Sequence, residues 1–233
     1  MTYTIEPLGD QAVIIEFSNE ISLNTQKQIQ RITAYLDREA PSWLIEYIPA
    51  YTTLSLFYSI KQFSASPSPF QTVCNEINKL LPNIQDEEIL PNRLVKIPVL
   101  YGGKYGPDLS HIATLHNLGE EEVIAIHTGG EYLVHMIGFS PGFPFIGGLS
   151  EKIATPRKLT PHLSIPGRSV GIAGKQTGIY PIETPGGWQI IGRTPVDLFL
   201  PNEEIPSLLR PGDQLQFYQI SEEEYKHLRG EAT

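Results

Sequence analysis

The first 92 residues alternate short apolar runs with stretches in which hydrophobic side chains recur at helical spacing. Ala12–Phe17 (AVIIEF) is a continuous apolar run typical of a buried strand, and helical periodicity follows up to about Arg38. Leu44–Ser59 reads as two strands interrupted by a proline, and a second amphipathic helix lies between Ser66 and Pro82. This β-α-β-β-α-β order predicts a ferredoxin-like sandwich, in which two helices cover one face of a sheet.

After residue 92 the pattern changes to short strands separated by glycine and proline. LVKIPVLYGG predicts a strand, GPDLSHIATLHN and GEEEVIAIHT predict two short helices, and EEEYKHLRGEAT predicts a short helix at the end. Eighteen of the 20 glycines lie between Gly102 and Gly212, and from Glu131 onward turns follow at tight intervals, as expected of a closed or nearly closed β-barrel. We therefore predict an α+β chain with a ferredoxin-like domain in residues 1–91 and a β-barrel domain in residues 92–233.

The composition and the net charge of the chain argue against several classes of function. The formal net charge is −9 and no dense cluster of lysine and arginine occurs, so binding to nucleic acid or to an anionic membrane is not expected, since both need a basic surface. No apolar run is long enough to span a bilayer. The single cysteine, Cys74, excludes an internal disulfide and favours a cytoplasmic protein of a reducing compartment.

The stretch Gly138–Gly142 spells G-x-S-x-G, the motif that carries the nucleophile of many serine hydrolases. In that motif the residue after the serine donates its backbone N–H to the oxyanion, but here that residue is Pro141, which has no N–H. The glycines and prolines that follow also disfavour the helix that the motif requires. Ser140 is therefore not expected to be a nucleophile.

Two glycine- and proline-rich segments carry the candidate binding residues. In the first, Phe139, Phe143 and Phe145 either fill the core under a bent loop or present aromatic faces to a ligand or partner, and the sequence leaves both open. In the second, PIETPGGWQIIGRTP, Trp188 either packs in the core or lies beside polar residues at a barrel mouth. Arg193 is either an anion clamp or part of a surface ion pair. The polar residues of this segment are Thr184, Gln189, Arg193 and Thr194.

No motif for a metal or for a nucleotide phosphate is evident. His111 and His116 are five residues apart, which places them on different faces of a helix, and His127 and His135 fall on different elements. The sequence contains no G-x-x-x-x-G-K-[ST] loop, which leaves open a nucleotide bound in another way. No metal site is therefore expected in this chain.

Together, the motifs resemble the family of the B-type subunit of 5-oxoprolinase, which also contains the Kip-type sporulation kinase inhibitors and the first subunit of allophanate hydrolase. The resemblance runs through nearly the whole chain in order. The matching segments are LGDQAVIIEF, IPAYTTLSLFY, IPVLYGGKYGPDL, EEEVIAIHT, YLVHMIGFSPGFPFIGGL, TPRKLTP, SVGIAGKQTGIYPIETPGGWQIIGRTP and RPGDQLQF.

The resemblance implies a ferredoxin-like N-terminal domain followed by a cyclophilin-like β-barrel domain. It also implies a B-type subunit that works with an A-type and a C-type subunit, and this complex couples the hydrolysis of ATP, the co-substrate, to the conversion of 5-oxo-L-proline to L-glutamate. The alternative in the same family is an inhibitor that blocks autophosphorylation of a sporulation sensor histidine kinase and is antagonised by a partner similar to the C-type subunit. The motifs serve both branches, and the metabolic role is favoured because it needs only the neighbouring subunits.

The family motifs also imply which residues surround a groove of the barrel. Catalytic contacts are expected from Arg193, Gln176 and His127, and an apolar wall from Phe143 and Trp188. The groove residues are Phe139, Pro141, Gly142, Phe143, Phe145, Tyr180, Thr184, Pro185, Gly186, Gly187, Trp188 and Thr194.

The chain departs from the family pattern at two places. The family usually has an arginine after Pro161, where this chain has His162, and V-P-A-G-S where this chain has Ile165–Ser169 (IPGRS). Histidine lacks the permanently charged fork of arginine. Arg168 either restores that charge or faces solvent.

Overall fold

The computed structural model describes residues 2–63, 68–84 and 93–230. The chain combines helices and strands, so the predicted α+β class is confirmed. It divides into two compact units, residues 1–91 and residues 92–233.

The first unit is a four-stranded antiparallel sheet with two packed helices. In the sheet order β1-β2-β4-β3, the strands are β1 Thr4–Pro7, β2 Ala12–Glu16, β3 Leu44–Pro49 and β4 Thr53–Tyr58. The helices are α1 Leu23–Glu39 and α2 Pro69–Leu80, and short 3-10 turns cover Ile60–Phe63 and Leu81–Ile84. Ile32 of α1 and Ile77 of α2 join Val13, Leu54 and Leu56 of the sheet in one apolar cluster, so both helices pack on the sheet.

The order of elements in this unit differs from the predicted one at both ends. β1 was not part of the predicted order, yet it pairs with β2 from Thr4↔Glu16 to Pro7↔Val13 and forms an edge of the sheet. Within β1 only Ile5 packs against the apolar cluster, so its hydrophobic pattern is weak. The last strand of the predicted order falls on residues 85–92, and the predicted helix start at Ser66 falls on residues 64–67, all outside the described residues.

The second unit is a closed seven-stranded β-barrel with a separate two-stranded sheet, which confirms the predicted barrel. The strands are β5 Leu94–Tyr101, β6 Tyr132–Ile137, β7 Pro144–Gly147, β8 His162–Ile165, β9 Ser169–Ala173, β10 Gln176–Ile179, β11 Thr184–Gly186, β12 Gln189–Arg193 and β13 Gln214–Gln219. The helices are α3 Leu109–Leu115, α4 Glu120–Thr128 and α5 Glu222–Arg229, with a 3-10 turn at Glu151–Ile153. The order around the barrel is β10-β7-β6-β13-β5-β12-β9, and β8 pairs with β11.

The first and last strands of the barrel are neighbours. β5 and β13 run parallel, in register from Leu94↔Gln214 to Val99↔Gln219. Aliphatic side chains from several strands, among them those of Val134 and Ile172, fill the apolar core of this unit and are fully buried. Closure leaves none of the seven strands with an unpaired edge.

His127 of α4 is wholly buried among these apolar side chains (0% exposed). The hydroxyl of Thr177 donates to the carbonyl oxygen of Gly171 (3.0 Å), so the imidazole Nε2–H donates to Thr177 Oγ1 (3.0 Å). The remaining nitrogen, Nδ1, accepts a hydrogen bond from the hydroxyl of Tyr101 (2.8 Å). Burial lowers the pKa of His127 to about 3, which keeps the ring neutral. In this position His127 joins α4 to β5 and β10 through hydrogen bonds inside the core, and the catalytic contact that the family resemblance implies for it stays a prediction.

We expect the stability of the second unit to depend on pH through His127. The folded state holds this ring neutral with a pKa of about 3, whereas an unfolded chain protonates it near its ordinary pKa of 6.5. The contribution of His127 is therefore fully present above about pH 6.5 and is lost toward pH 3, with a slope of up to roughly 1.4 kcal/mol per pH unit. Urea unfolding measures this contribution as the difference in unfolding free energy between the wild type and His127→Gln. This difference should shrink from pH 7 to about pH 4.

A difference in unfolding free energy that does not change with pH would contradict this assignment. Ring-nitrogen chemical shifts give a second measurement that needs no variant. The His127 ring is expected to keep its Nε2–H tautomer down to about pH 4.5, because its pKa lies well below the ordinary value.

Candidate functional site

Five aromatic side chains of the second unit pack against one another, and we call them the aromatic cluster. The ring of Phe143 is central, with its centroid 4.9 Å from that of Phe145, 5.2 Å from that of Tyr180 and 5.5 Å from that of Trp188. Phe139 is the fifth member, 5.4 Å from Phe143. All four rings meet Phe143 edge to face, an arrangement that adds about 0.5–1.5 kcal/mol per pair to the effect of burial.

The structure separates the two interpretations that the sequence left open for these aromatic residues. Phe143 and Trp188 are core residues, and a Cβ on Gly178 would lie 2.9 Å from Trp188 and 3.1 Å from Phe143, so only glycine fits there. Phe139 is instead 67% exposed and has a φ of 68°, a left-handed conformation that is strained for phenylalanine.

The Oγ of Ser140 has no hydrogen-bond partner among the described residues, so no base there activates it as a nucleophile.

The two polar residues expected to contact substrate together lie apart. Gln176 of β10 pairs with Ala173 at one end of β9, and Arg193 of β12 pairs with Ser169 at the other end. An extended strand rises about 3.3 Å per residue, so these positions are separated by roughly 13 Å along β9, and they also lie on strands on opposite sides of it. The Nε of Arg193 donates to the carbonyl oxygen of Gly167 (2.9 Å). Gln176 and Arg193 therefore do not form one site for a small ligand.

The other predicted groove residues lie at the bend before β7, around β11 and, for Thr194, directly after β12. Thr194 and Gly142 are buried, Thr184, Gly186 and Gly187 are half-buried, and Pro141 and Pro185 are exposed. The predicted set is therefore a packed aromatic core with a partly exposed rim.

A cavity of about 470 Å³ lies beside Gln189, the first residue of β12. Its wall is formed by the segment Thr155–Thr160, by residues at the start and along one side of α3, and by Gln189. We call it the α3 cavity. Its volume falls within the range of roughly 300–1,000 Å³ that is usual for small-molecule sites.

Asp108, which immediately precedes α3, is the buried charge of the α3 cavity. Its carboxylate accepts hydrogen bonds from the backbone N–H of Ile190 (2.8 Å), from Nε2 of His162 (3.1 Å) and from the ammonium group of Lys158. Burial raises the pKa of Asp108, but the hydrogen bonds from Lys158, Ile190 and His162 outweigh burial and hold the pKa below its ordinary value. Asp108 is therefore an ionised carboxylate with a complete set of donors.

The segment Thr155–Thr160 is fixed by backbone contacts as well as by this ion pair. The backbone N–H of Lys158 donates to the carbonyl oxygen of Gly187 (2.7 Å). The side-chain Nε2 of Gln189 donates to the carbonyl oxygen of Pro156 (3.1 Å). These two contacts join the TPRKLTP and PGGWQ motifs, which are distant in sequence, beside the α3 cavity.

His162 and Arg168, which stand at the two departures from the family pattern, both contact carboxylates, but in different places. His162 is bonded to Asp108 beside the α3 cavity. Arg168 instead lies 2.9 Å from the carboxylate of Asp197, which also binds Arg229 at 3.0 Å. Arg168 therefore does not restore the missing arginine charge beside Asp108.

The charges around the α3 cavity favour a small anion. Arg157 and Lys158 bring two positive charges, and Asp108 brings one negative charge. The sequence analysis missed these three residues as site residues. The available signal was the TPRKLTP motif, whose two consecutive basic residues follow a proline, but the carboxylate that organises it lies about 50 residues earlier.

Within residues 2–63, 68–84 and 93–230, no group of three or more histidine, cysteine, aspartate or glutamate side chains could hold a metal ion. None of the helices in that part of the chain combines the length and the apolar character needed to cross a membrane. Cys74 of α2 is a buried free thiol.

Comparison with known proteins assigns the chain to one group. The family "Carboxyltransferase domain, subdomain C and D" matches residues 3–209. The chain is 47% identical to the B-type subunit of 5-oxoprolinase from Bacillus subtilis, over 99% of this chain and 98% of that protein. It is 39% identical to the corresponding 5-oxoprolinase subunit of Escherichia coli O157:H7, over 90% of this chain and 93% of that protein.

A solved structure has the same fold. The crystal structure of the protein TTHA0988 matches with a TM-score of 0.76 and 33% identity over 91% of this chain. The present chain covers 40% of that longer protein.

We expect loss of the Asp108 carboxylate to destabilise the second unit. Asp108→Ala removes the partner of three donors and leaves the ammonium group of Lys158 without its counter-charge, at a cost of about 3 kcal/mol. Asp108→Asn keeps the shape and one acceptor oxygen but replaces the other oxygen with an NH2 donor, so its cost is smaller than that of Asp108→Ala but not zero. Urea unfolding at pH 7 measures both.

The pH dependence identifies the charge as the cause. Because the folded pKa of Asp108 is lowered, its contribution is present above the ordinary pKa of aspartate and is lost as pH falls through the folded pKa. The difference between wild type and Asp108→Asn should therefore shrink below about pH 4. An equal difference at pH 7 and at pH 3 would show that the charge is not what stabilises this wall.

Proposed function

The chain belongs to the family of B-type 5-oxoprolinase subunits, and on that premise we propose that it is the B-type component of a multi-subunit, ATP-dependent 5-oxoprolinase. With the A-type and C-type subunits, it converts 5-oxo-L-proline to L-glutamate in the cytoplasm and hydrolyses ATP as co-substrate. The observation that carries this proposal is the end-to-end correspondence with proteins of that name, at 47% identity over nearly the full length of both chains.

The chemistry of the reaction explains why partners and ATP are needed. An unstrained five-membered lactam is a poor electrophile, and phosphorylation of its carbonyl oxygen creates a leaving group that exposes the ring carbon to water. TTHA0988 supports the partner part of the proposal, because in that protein the fold of this chain is only part of a longer polypeptide. A separate C-type subunit is the simplest equivalent of the additional part.

This chain's own contribution, on this proposal, is to bind and orient a substrate. The α3 cavity carries an excess of positive charge, which suits the carboxylate of 5-oxo-L-proline. Its walls are fixed by the Asp108–Lys158 pair and by the backbone contact between Lys158 and Gly187, so little order is lost on binding. The aromatic cluster, to which Trp188 belongs, packs in one apolar group with Ile190 of β12.

We expect this chain, purified together with the A-type and C-type subunits, to release L-glutamate from 5-oxo-L-proline only when ATP and all three proteins are present. Coupled assays of glutamate and of ADP measure the two products in the same reaction. Omission of this chain is expected to lower both rates to background, because the carboxyltransferase-like assembly is then incomplete. Glutamate release that is equally fast without this chain would refute the proposal.

Inhibition of a sensor histidine kinase stays a prediction from the family resemblance. Adding the purified chain to an autophosphorylating kinase, with and without the C-type subunit, tests it in one experiment. Unchanged autophosphorylation would exclude that role for the kinase used.

A further inference from the structure

One wall of the α3 cavity contains a buried polar atom without a partner. Gln189 is 4% exposed, and its Nε2 is bonded to Pro156, but its Oε1 has no hydrogen-bond partner among the described residues. A buried acceptor left unpaired destabilises the fold, so such an atom in a folded protein calls for a ligand or water. The Oε1 of Gln189 is therefore an unsatisfied acceptor in a residue that lines the α3 cavity.

The same cavity carries a positive charge that is not used within the protein. The ammonium group of Lys158 is paired with Asp108, and His162 is bonded to the same carboxylate. Among the residues that the structure describes, no ion pair or hydrogen bond holds the guanidinium group of Arg157, which is exposed at the cavity. A free guanidinium group offers two parallel N–H donors that match a carboxylate.

We propose that the α3 cavity is the substrate site for a small cyclic amide that carries a carboxylate. Arg157 pairs with the carboxylate, and the Oε1 of Gln189 accepts a hydrogen bond from the ring N–H. This assignment rests on the proposed function for the identity of the ligand, 5-oxo-L-proline, and it adds the residues and the orientation.

The Asp108–Lys158 pair makes this arrangement selective. Because Asp108 neutralises Lys158 and is itself fully bonded, the cavity presents one uncompensated cation, and it selects a monoanion. Because the Gln189 amide is held by Pro156, its oxygen keeps a fixed position. In a ligand with a ring oxygen in place of the N–H, that oxygen would face the Oε1 of Gln189, and both atoms are acceptors. The affinity is therefore expected to fall about tenfold to a hundredfold.

Two ligand analogues and one variant test the proposal. Isothermal titration calorimetry of the full-length chain compares 5-oxo-L-proline with 2-pyrrolidinone, which lacks the carboxylate, and with the lactone 5-oxotetrahydrofuran-2-carboxylate, which lacks the N–H. Both analogues should bind at least about tenfold more weakly than 5-oxo-L-proline. Arg157→Gln should weaken 5-oxo-L-proline by a similar factor and leave 2-pyrrolidinone unaffected.

The matched control is Arg210→Gln, which removes an exposed arginine whose nearest acidic partner, Asp213, is 3.8 Å away. It should bind 5-oxo-L-proline like the wild type. In the reconstituted complex, Arg157→Gln should raise KM about tenfold and change kcat little, because the carboxylate contact is the same in the ground state and the transition state. Thermal unfolding should change little, since no hydrogen bond or ion pair within the described residues holds the guanidinium group of Arg157.

The possible failures are distinguishable. An active complex in which Arg157→Gln has the wild-type KM, or a chain that binds the lactone as tightly as the lactam, overturns the site assignment and leaves the proposed function intact. A complex without ATP-dependent glutamate release, whose full-length chain still binds 5-oxo-L-proline through Arg157, refutes the proposed function and supports the site. No binding to the chain or to the complex overturns the assignment.

Discussion

The buried carboxylate of Asp108 is the interaction on which the arrangement of the candidate site depends. Its oxygens receive a backbone N–H from Ile190, the ammonium group of Lys158 and a ring N–H from His162, while its own N–H donates to the carbonyl oxygen of Ile190 (2.9 Å). The side chain of Asp108 thereby connects the start of α3 with β12 and with the segment before β8. A carboxylate without these donors would be too costly to bury.

The elements of the fold were largely predictable from local patterns. The apolar run AVIIEF is a buried strand, and the density of glycine and proline after residue 92 marks short barrel strands. What could not be predicted is set by pairing between distant segments. β1 is a short edge strand with one inward residue, Ile5, and its pairing with β2 leaves almost no trace in its own sequence.

The candidate site was predictable only in part, and for the same reason. The motif PGGWQ was singled out, and its Gln189 lines the α3 cavity, while its Trp188 lies in the aromatic cluster. Asp108 looked like an ordinary residue before a helix, because its partners Lys158 and His162 are about 50 residues away along the chain. Gln176 and Arg193 were grouped because both lie in dense motifs, although β9 holds them at its opposite ends. Sequence motifs report which segments matter more reliably than which atoms meet.

The parallel pairing of β5 with β13 has a consequence for how the chain folds during synthesis. The barrel lacks β13 until the ribosome has released residues 214–219. Because β13 pairs with both β5 and β6, a chain that contains the other six strands has an unpaired edge at each of these two strands. The contacts that complete the barrel are among the most distant in the sequence of this unit, which makes closure a late and slow event. A translation product that stops shortly before Gln214 would therefore be an open sheet prone to aggregation, even though it contains every residue assigned to the α3 cavity.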